Sequence, residues 1–288
     1  MITVFTATYN RVQTLKRLYE SLCTQTCKDF EWVIVDDGSA DGTQNLIEAL
    51  TREDKINIRY FYQSNAGKHT AINRGVNEAH GELFFIVDSD DSLSKDAIEW
   101  AEENSKKIFS DSSIGGISGR LYFPDGKSIG KGLENGDIDA NALDVRMRHG
   151  VTGDLAEVFK TSVLRKFPFP TFPGERFVPE ALVWNRIAKQ YKLRYTSKKI
   201  YCAEYLPDGL TAKIVRIRRE APMGSMTYYS ELRGYDIPFV QKLKASINFW
   251  RFAPIKHYGK ARNMGMINFW SLMSWPLGVA MRLNDARK

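Results

Sequence analysis

From Ile2 to Val87 the chain repeats one pattern, a short run of apolar and β-branched residues followed by a longer segment with helical periodicity. Ile2–Ala7 reads as a strand, and Arg11–Gln25 as an amphipathic helix with Leu15, Leu18, Tyr19 and Leu22 on one face. A second strand follows at Glu31–Asp36, then a helix that opens at Asp41-Gly42-Thr43 and carries Leu46, Ile47 and Leu50. Asn57–Tyr62 reads as a third strand, Ala71–Ala79 as a helix and Glu82–Val87 as a fourth strand, apolar almost throughout as strands covered on both faces are. Such alternation predicts an α/β fold with a mainly parallel, doubly wound, Rossmann-like sheet flanked by helices.

Sheets of this class bind ligands beyond the carboxyl ends of their strands. The chain places polar clusters at those ends: Thr8-Tyr9-Asn10 after the first strand, Asp36-Asp37-Gly38-Ser39 after the second and Asp88-Ser89-Asp90-Asp91 after the fourth. Beyond them the pattern weakens, and 111–150 reads as a variable loop region rich in Gly and Asp. A helix near Glu157–Leu164, a Pro-rich turn at Phe167–Pro173 and a helix over Glu180–Ala188 follow.

Carboxylates crowded at the end of a buried strand repel one another. A divalent cation with phosphate oxygens is the natural way to keep them ionised together. Asp90 is the first candidate for such a metal, Mn²⁺ or Mg²⁺, with Asp88 on the metal or on a ribose. The plainer alternative makes the cluster, Asp91 above all, a cap for a following helix. Asp37 can accept from a nucleobase N–H or do ordinary turn work, and Tyr9 can stack on a base or simply be buried.

Together these segments resemble the family 2 glycosyltransferases. The resemblance rests on Thr6-Ala7-Thr8-Tyr9-Asn10-Arg11, Val35 to Thr43, Asn65-Ala66-Gly67-Lys68 through Ala71-Ile72-Asn73, and Gly81-Glu82 leading to Asp88-Ser89-Asp90-Asp91. It implies a GT-A fold, an inverting mechanism and a nucleotide-sugar donor, commonly a UDP-sugar. It also assigns Tyr9 and Asp37 to the base, Asp88 and Asp90 to nucleotide and metal, and Lys68 to the nucleotide, with Thr8 and Ser89 completing the donor contacts. The family's acidic pair followed by Trp and Arg corresponds to Pro179 to Arg186, where only Glu180 remains to act as general base on the acceptor hydroxyl. Asp154 and Glu175 are reserves for that role. The expected acceptor is a saccharide or a lipid-linked oligosaccharide in surface polysaccharide synthesis.

Other chemistries lack their signals. Gly67-Lys68-His69 is not a P-loop, no GxGxxG follows the first strand, and His69, His80, His149 and His257 show no paired metal spacing. A sugar nucleotidyltransferase is expected to carry a Gly-rich, Arg-containing loop where Thr8-Tyr9-Asn10-Arg11 stands. A non-catalytic nucleotide-binding scaffold is the rival from another class.

The formal charge of +7 is unevenly placed: residues 1–209 carry 27 Lys/Arg against 30 Asp/Glu, and residues 210–288 carry 14 against 4. A catalytic domain at 1–209 and a helical, basic, aromatic extension at 210–288 are therefore expected. Residues 239–252 predict an amphipathic helix with Phe239, Leu243, Ile247 and Trp250 on one face, and 19 uncharged residues lie between Arg262 and Arg282. Three readings of that tail stand: an anchor at a membrane surface, packing into the protein or a homo-oligomer, and a short span. Nothing in it resembles a nucleic-acid-binding motif. Three scattered cysteines and an N-terminus that begins directly in a strand predict a cytoplasmic chain, peripheral at the inner face of the plasma membrane.

Overall fold

The computed structural model describes residues 1–133, 136–204 and 213–286. They fall into two compact units, Met1–Pro168 with Arg186–Tyr205, and Phe169–Asn185 with Leu206–Lys288. The expected boundary at 209/210 lies outside the described residues.

The first unit opens with β1 (Ile2–Thr8), α1 (Val12–Cys23), β2 (Phe30–Asp36), α2 (Thr43–Arg52), β3 (Asn57–Tyr62), α3 (Lys68–Glu78) and β4 (Leu83–Ile86). It continues through β5 (Ser92–Leu93), α4 (Ala97–Phe109), β6 (Ile114–Tyr122), β7 (Ile138–Ala140), α5 (Ala142–Met147), β8 (Leu155–Lys160) and α6 (Thr161–Lys166). After α7 (Glu180–Ile187), which spans the division, β9 (Lys192–Cys202) completes the sheet. The strand order is β3-β2-β1-β4-β8-β6-β9-β5, with β7 on β9.

The four N-terminal strands pair in parallel, as the alternation requires. The remainder is mixed: β8 runs antiparallel to both β4 and β6, while β6 and β9 pair in parallel. A core of Val4, Leu15, Leu18, Trp32, Ile34, Phe85 and Ile98, among others, fills one side of the sheet. Glu31, fully buried in β2, is held by three donors: Thr3 Oγ1 at 2.6 Å, the His80 amide at 2.7 Å and Arg59 Nη1 at 2.8 Å. These contacts hold its carboxyl below the usual range against the opposing cost of burial.

Two sequence expectations are corrected. Residues 111–150 are not loop throughout, because Ile114–Tyr122 is a buried strand in the middle of the sheet. Its glycines disguise it. They answer close approach, since a Cβ on Gly116 would sit 2.3 Å from the Val158 carbonyl oxygen. The helix expected near Glu157–Leu164 is strand β8 up to Lys160, with the short helix α6 beginning at Thr161. Six apolar-rich residues fit either period.

The second unit contains the first residues of α7, then α8 (Ile214–Glu220), α9 (Pro222–Leu232), α10 (Phe239–Phe252), a 3-10 turn at Ile255–His257, α11 (Tyr258–Asn263) and α12 (Phe269–Ala286). Met223, Met226, Phe249, Trp250, Ala253, Ala261 and Met266 form its core, with Phe172 and Tyr229 against it. Glu175 binds the start of α9, accepting from the amides of Met223 (2.7 Å) and Gly224 (2.9 Å). The helix expected at 239–252 is present; of its expected apolar face Phe239 and Leu243 are exposed and Trp250 is buried, together with Ala245, Ser246 and Phe249.

Candidate active site

The chain runs outward from β1 through β2 to β3 and then returns to place β4 on the other side of β1. The strand order thus reverses between β1 and β4, and the crevice at their carboxyl ends is where open α/β sheets take ligands. Thr8 and Tyr9 stand at the end of β1, Asp36 and Asp37 at the end of β2, and Asp88 to Asp91 just past β4.

The first two loops are fastened to each other. Ser39 Oγ accepts from the Asn10 amide at 2.9 Å, Asn10 Oδ1 from the Ala40 amide at 2.9 Å, and Asp41 Oδ2 from the Val12 amide at 2.9 Å. Asn10 itself has φ 52, and Gly38 has φ 93, where a Cβ would lie 3.0 Å from the Asn65 nitrogen. The Gly38 position therefore needs glycine twice over, for its backbone angle and for space.

Asp37 is buried and supports the third loop. Its Oδ1 accepts from Gln63 Nε2 (2.8 Å) and the Ala66 amide (2.9 Å), and its Oδ2 from the Gly67 amide (2.7 Å). Asp36 binds Tyr60 OH at 2.8 Å and the Ser39 amide at 2.7 Å. A carboxylate offers about four acceptor sites, so Asp37 combines loop support with room for one more donor. Thr8 is buried with its hydroxyl unpartnered, whereas the Tyr9 ring is exposed. His69, at the start of α3, is buried with neither ring nitrogen partnered, and burial lowers its pKa.

Asp88, Asp90 and Asp91 each offer a carboxylate oxygen, and the three oxygens lie within 4.8 Å of one another. Lys68 Nζ is 2.5 Å from Asp88 Oδ1, and Arg11 Nη2 is 4.0 Å from Asp90 Oδ2. Burial, followed by the charge of Asp88, raises the pKa of Asp90. The same two causes in the same order push Asp91 up to about 7. Asp91 does not cap a helix, which corrects that alternative: β5 follows it directly and α4 begins only at Ala97. Its carboxylate accepts from Tyr201 OH at 2.8 Å and the Glu204 amide at 3.2 Å, and the same phenol accepts from the Asp88 amide at 2.8 Å. Ser89 between them is buried.

The structure therefore places Thr8, Tyr9, Asp37, Lys68, Asp88, Ser89 and Asp90 in the first unit, at the ends of β1, β2 and β4 and at the start of α3. Glu180 belongs to the second unit, half-buried at the start of α7 and one turn before Trp184, whose ring is edge-on to Phe169 at 5.7 Å. Three residues carry no signal of their part in the site when the sequence is read alone. Arg11 closes the first motif but looks like any loop cation. Arg17, on α1, donates to the Asp90 carbonyl and pairs with Glu204 at 2.7 Å. Tyr201 reaches the acidic turn from β9, more than a hundred residues away in sequence, and no local pattern could have marked it.

The sequence profile described as Glycosyl transferase family 2 matches residues 3–134, the stretch that supplies every carboxylate of the acidic turn. Over these residues the chain belongs to glycosyl transferase family 2. An uncharacterized glycosyltransferase of Rickettsia conorii is 36% identical over 48% of this chain and 22% of its own length. The GalNAc(5)-diNAcBac-PP-undecaprenol beta-1,3-glucosyltransferase of Campylobacter jejuni is 29% identical over 66% of this chain and 60% of its own. The chain thus spans between about a fifth and three fifths of the length of these relatives. The fold is GT-A. Residues 1–349 of S. aureus TarS superpose with a TM-score of 0.62 at 18% identity, covering 95% of this chain and 77% of that one. A mannosyltransferase from Pyrobaculum calidifontis, in complex with GDP-Man and Mn²⁺, superposes with a TM-score of 0.58 at 16% identity, covering 99% and 87%.

Proposed function

We propose that this family 2 chain is an inverting glycosyltransferase that moves a sugar from a nucleotide-sugar donor, a UDP-sugar foremost, to a saccharide or lipid-linked acceptor. The observation that carries the reading is the acidic turn at the β1/β4 switch point: three converging carboxylates, two of them with raised pKa values, faced by Lys68 and Arg11. A ligand set made only of carboxylate oxygens fits a hard divalent cation. Asp90 and Asp88 would hold Mn²⁺ or Mg²⁺, which supplies charge neutralisation for a departing nucleoside diphosphate. Support for the donor class comes from the relatives: TarS has been crystallised with UDP-GlcNAc, and the Pyrobaculum enzyme with GDP-Man and Mn²⁺.

The chain's own groups divide the remaining work. Tyr9 offers its exposed ring to the base, and Asp37, fixed by Gln63, Ala66 and Gly67, accepts from a base N–H. Thr8 and Ser89 line the donor site. Lys68, now paired with Asp88, would neutralise a phosphate oxygen of the donor. Glu180 takes the proton of the acceptor hydroxyl as that oxygen attacks the anomeric carbon opposite the leaving diphosphate.

Transfer and hydrolysis assays over UDP-, GDP- and TDP-sugars with Mn²⁺ test the reading. One donor turns over, Asp90→Ala lowers kcat/KM by about 10²-fold or more, and Glu180→Gln loses about 10²–10⁴-fold in transfer while donor affinity holds. A folded protein that neither binds nor consumes any donor, with membrane lipid present, is a scaffold and the proposal is wrong.

A further inference from the structure

The helical tail is built inside out. A helix against a water-soluble core turns its apolar stripe inward and its polar residues to solvent. In α12 the buried residues are Ser271, Ser274 and Gly278, at intervals of three and four, while Phe269 (67% exposed), Leu272 (57%) and Met273 (65%) face outward with Trp270, Trp275 and Leu277. The small face is committed to α10. A Cβ on Gly278 would meet the Trp250 Cβ at 2.4 Å and the Ile247 carbonyl at 2.6 Å, and Trp250 Nε1 donates to the Ser271 carbonyl. Rotation of α12 to hide its apolar side would break this seam. The N-terminal turn of α10 extends the exposed surface with Phe239, Val240 and Leu243, the Phe239 ring lying 5.5 Å from that of Trp270.

Charge indicates what covers this surface. Lys244, Lys256, Lys260 and Arg262 are exposed and make no ion pair among the described residues, and the following stretch from 263 to 281 carries no charge. Ile255, at 72% exposure, and Met264 are interspersed with these cations. Apolar side chains that include two exposed tryptophans, bordered by unpaired cations, match the layered chemistry of a lipid surface: hydrocarbon below, anionic headgroups above. A two-fold contact of this face with a second copy would instead set like charges near one another. No helix among the described residues is long and apolar enough to cross a membrane, so the fitting geometry is in-plane.

We infer that the α10–α12 face of the second unit docks on an anionic phospholipid surface, with the outward side chains of α12 in the headgroup–acyl boundary and Lys256, Lys260 and Arg262 among the headgroups. Co-sedimentation of the full chain with vesicles of pure phosphatidylcholine, and of phosphatidylcholine with phosphatidylglycerol, tests this. The chain pellets with the anionic vesicles and less with the neutral ones. Leu272→Glu and Met273→Glu, changes at exposed positions that leave the melting curve in place, each reduce partition by about tenfold or more. A triple Lys256→Glu, Lys260→Glu, Arg262→Glu variant loses the preference for anionic lipid. Three results overturn the inference: a folded chain that stays in the supernatant with both vesicles, pelleting unaffected by the substitutions, or a dimer by light scattering that Leu272→Glu dissociates while no vesicle binds.

Discussion

Asp91 shows what a single buried carboxyl does to this site. Held out of water beside Asp88, it has a pKa of about 7 against an ordinary 3.8, so between those values the folded protein holds a proton that the unfolded chain has released. Its stability contribution is complete below the ordinary value and is lost as pH rises through about 7. In metal-free protein Asp91→Asn, which keeps an acceptor for Tyr201, is expected to remove that loss and to gain about 1–3 kcal/mol near pH 8, measured by denaturant melts across pH. Added Mn²⁺ should restore the wild type and help the variant less. The acidic cluster itself was legible from Asp88-Ser89-Asp90-Asp91 and its place after an apolar strand, and the three carboxylates do converge there. Its supports were not, since Tyr201 and Arg17 arrive from β9 and α1 and sequence spacing carries no information about them.

At the scale of elements, β1 to β4 could be read almost residue by residue, since each strand and helix carries its own period and its own stop. The second half resisted for a physical reason: β6 and β8 are defined by long-range pairing, and in β6 glycines demanded by close packing, against the Val158 carbonyl at Gly116, stand where apolar residues would have announced a strand. The seam between α10 and α12 gives a direct test of such approach. Gly278→Leu is expected to cost about 2–4 kcal/mol, because its side chain meets Trp250 and backbone rather than a flexible neighbour. The loss should appear as a lower melting temperature. A variant that melts like the wild type would mean that α12 is not held as described.

At the scale of the molecule, residues 169–185, which carry Glu180, group with the tail rather than with the strands on either side of them in sequence. Glu175 bonds the start of α9, and the Phe177 carbonyl lies so near Gly224 that a Cβ there would come within 2.6 Å. A chain truncated after residue 204 therefore removes what this segment packs on. It is expected to keep nucleotide and Mn²⁺ binding, read by calorimetry, and to lose transfer to the level of Glu180→Gln or below. Full transfer by the truncated chain would place the proton acceptor in the first unit. The same interleaving bears on how such a protein can change over generations. A single crossover between related genes that falls within residues 186–205 separates the two stretches that make the second unit, leaving one foreign to the other. Inheritance of that unit as a whole requires both segments to travel together, so its history is tied to that of the strand β9, which lies between them in sequence.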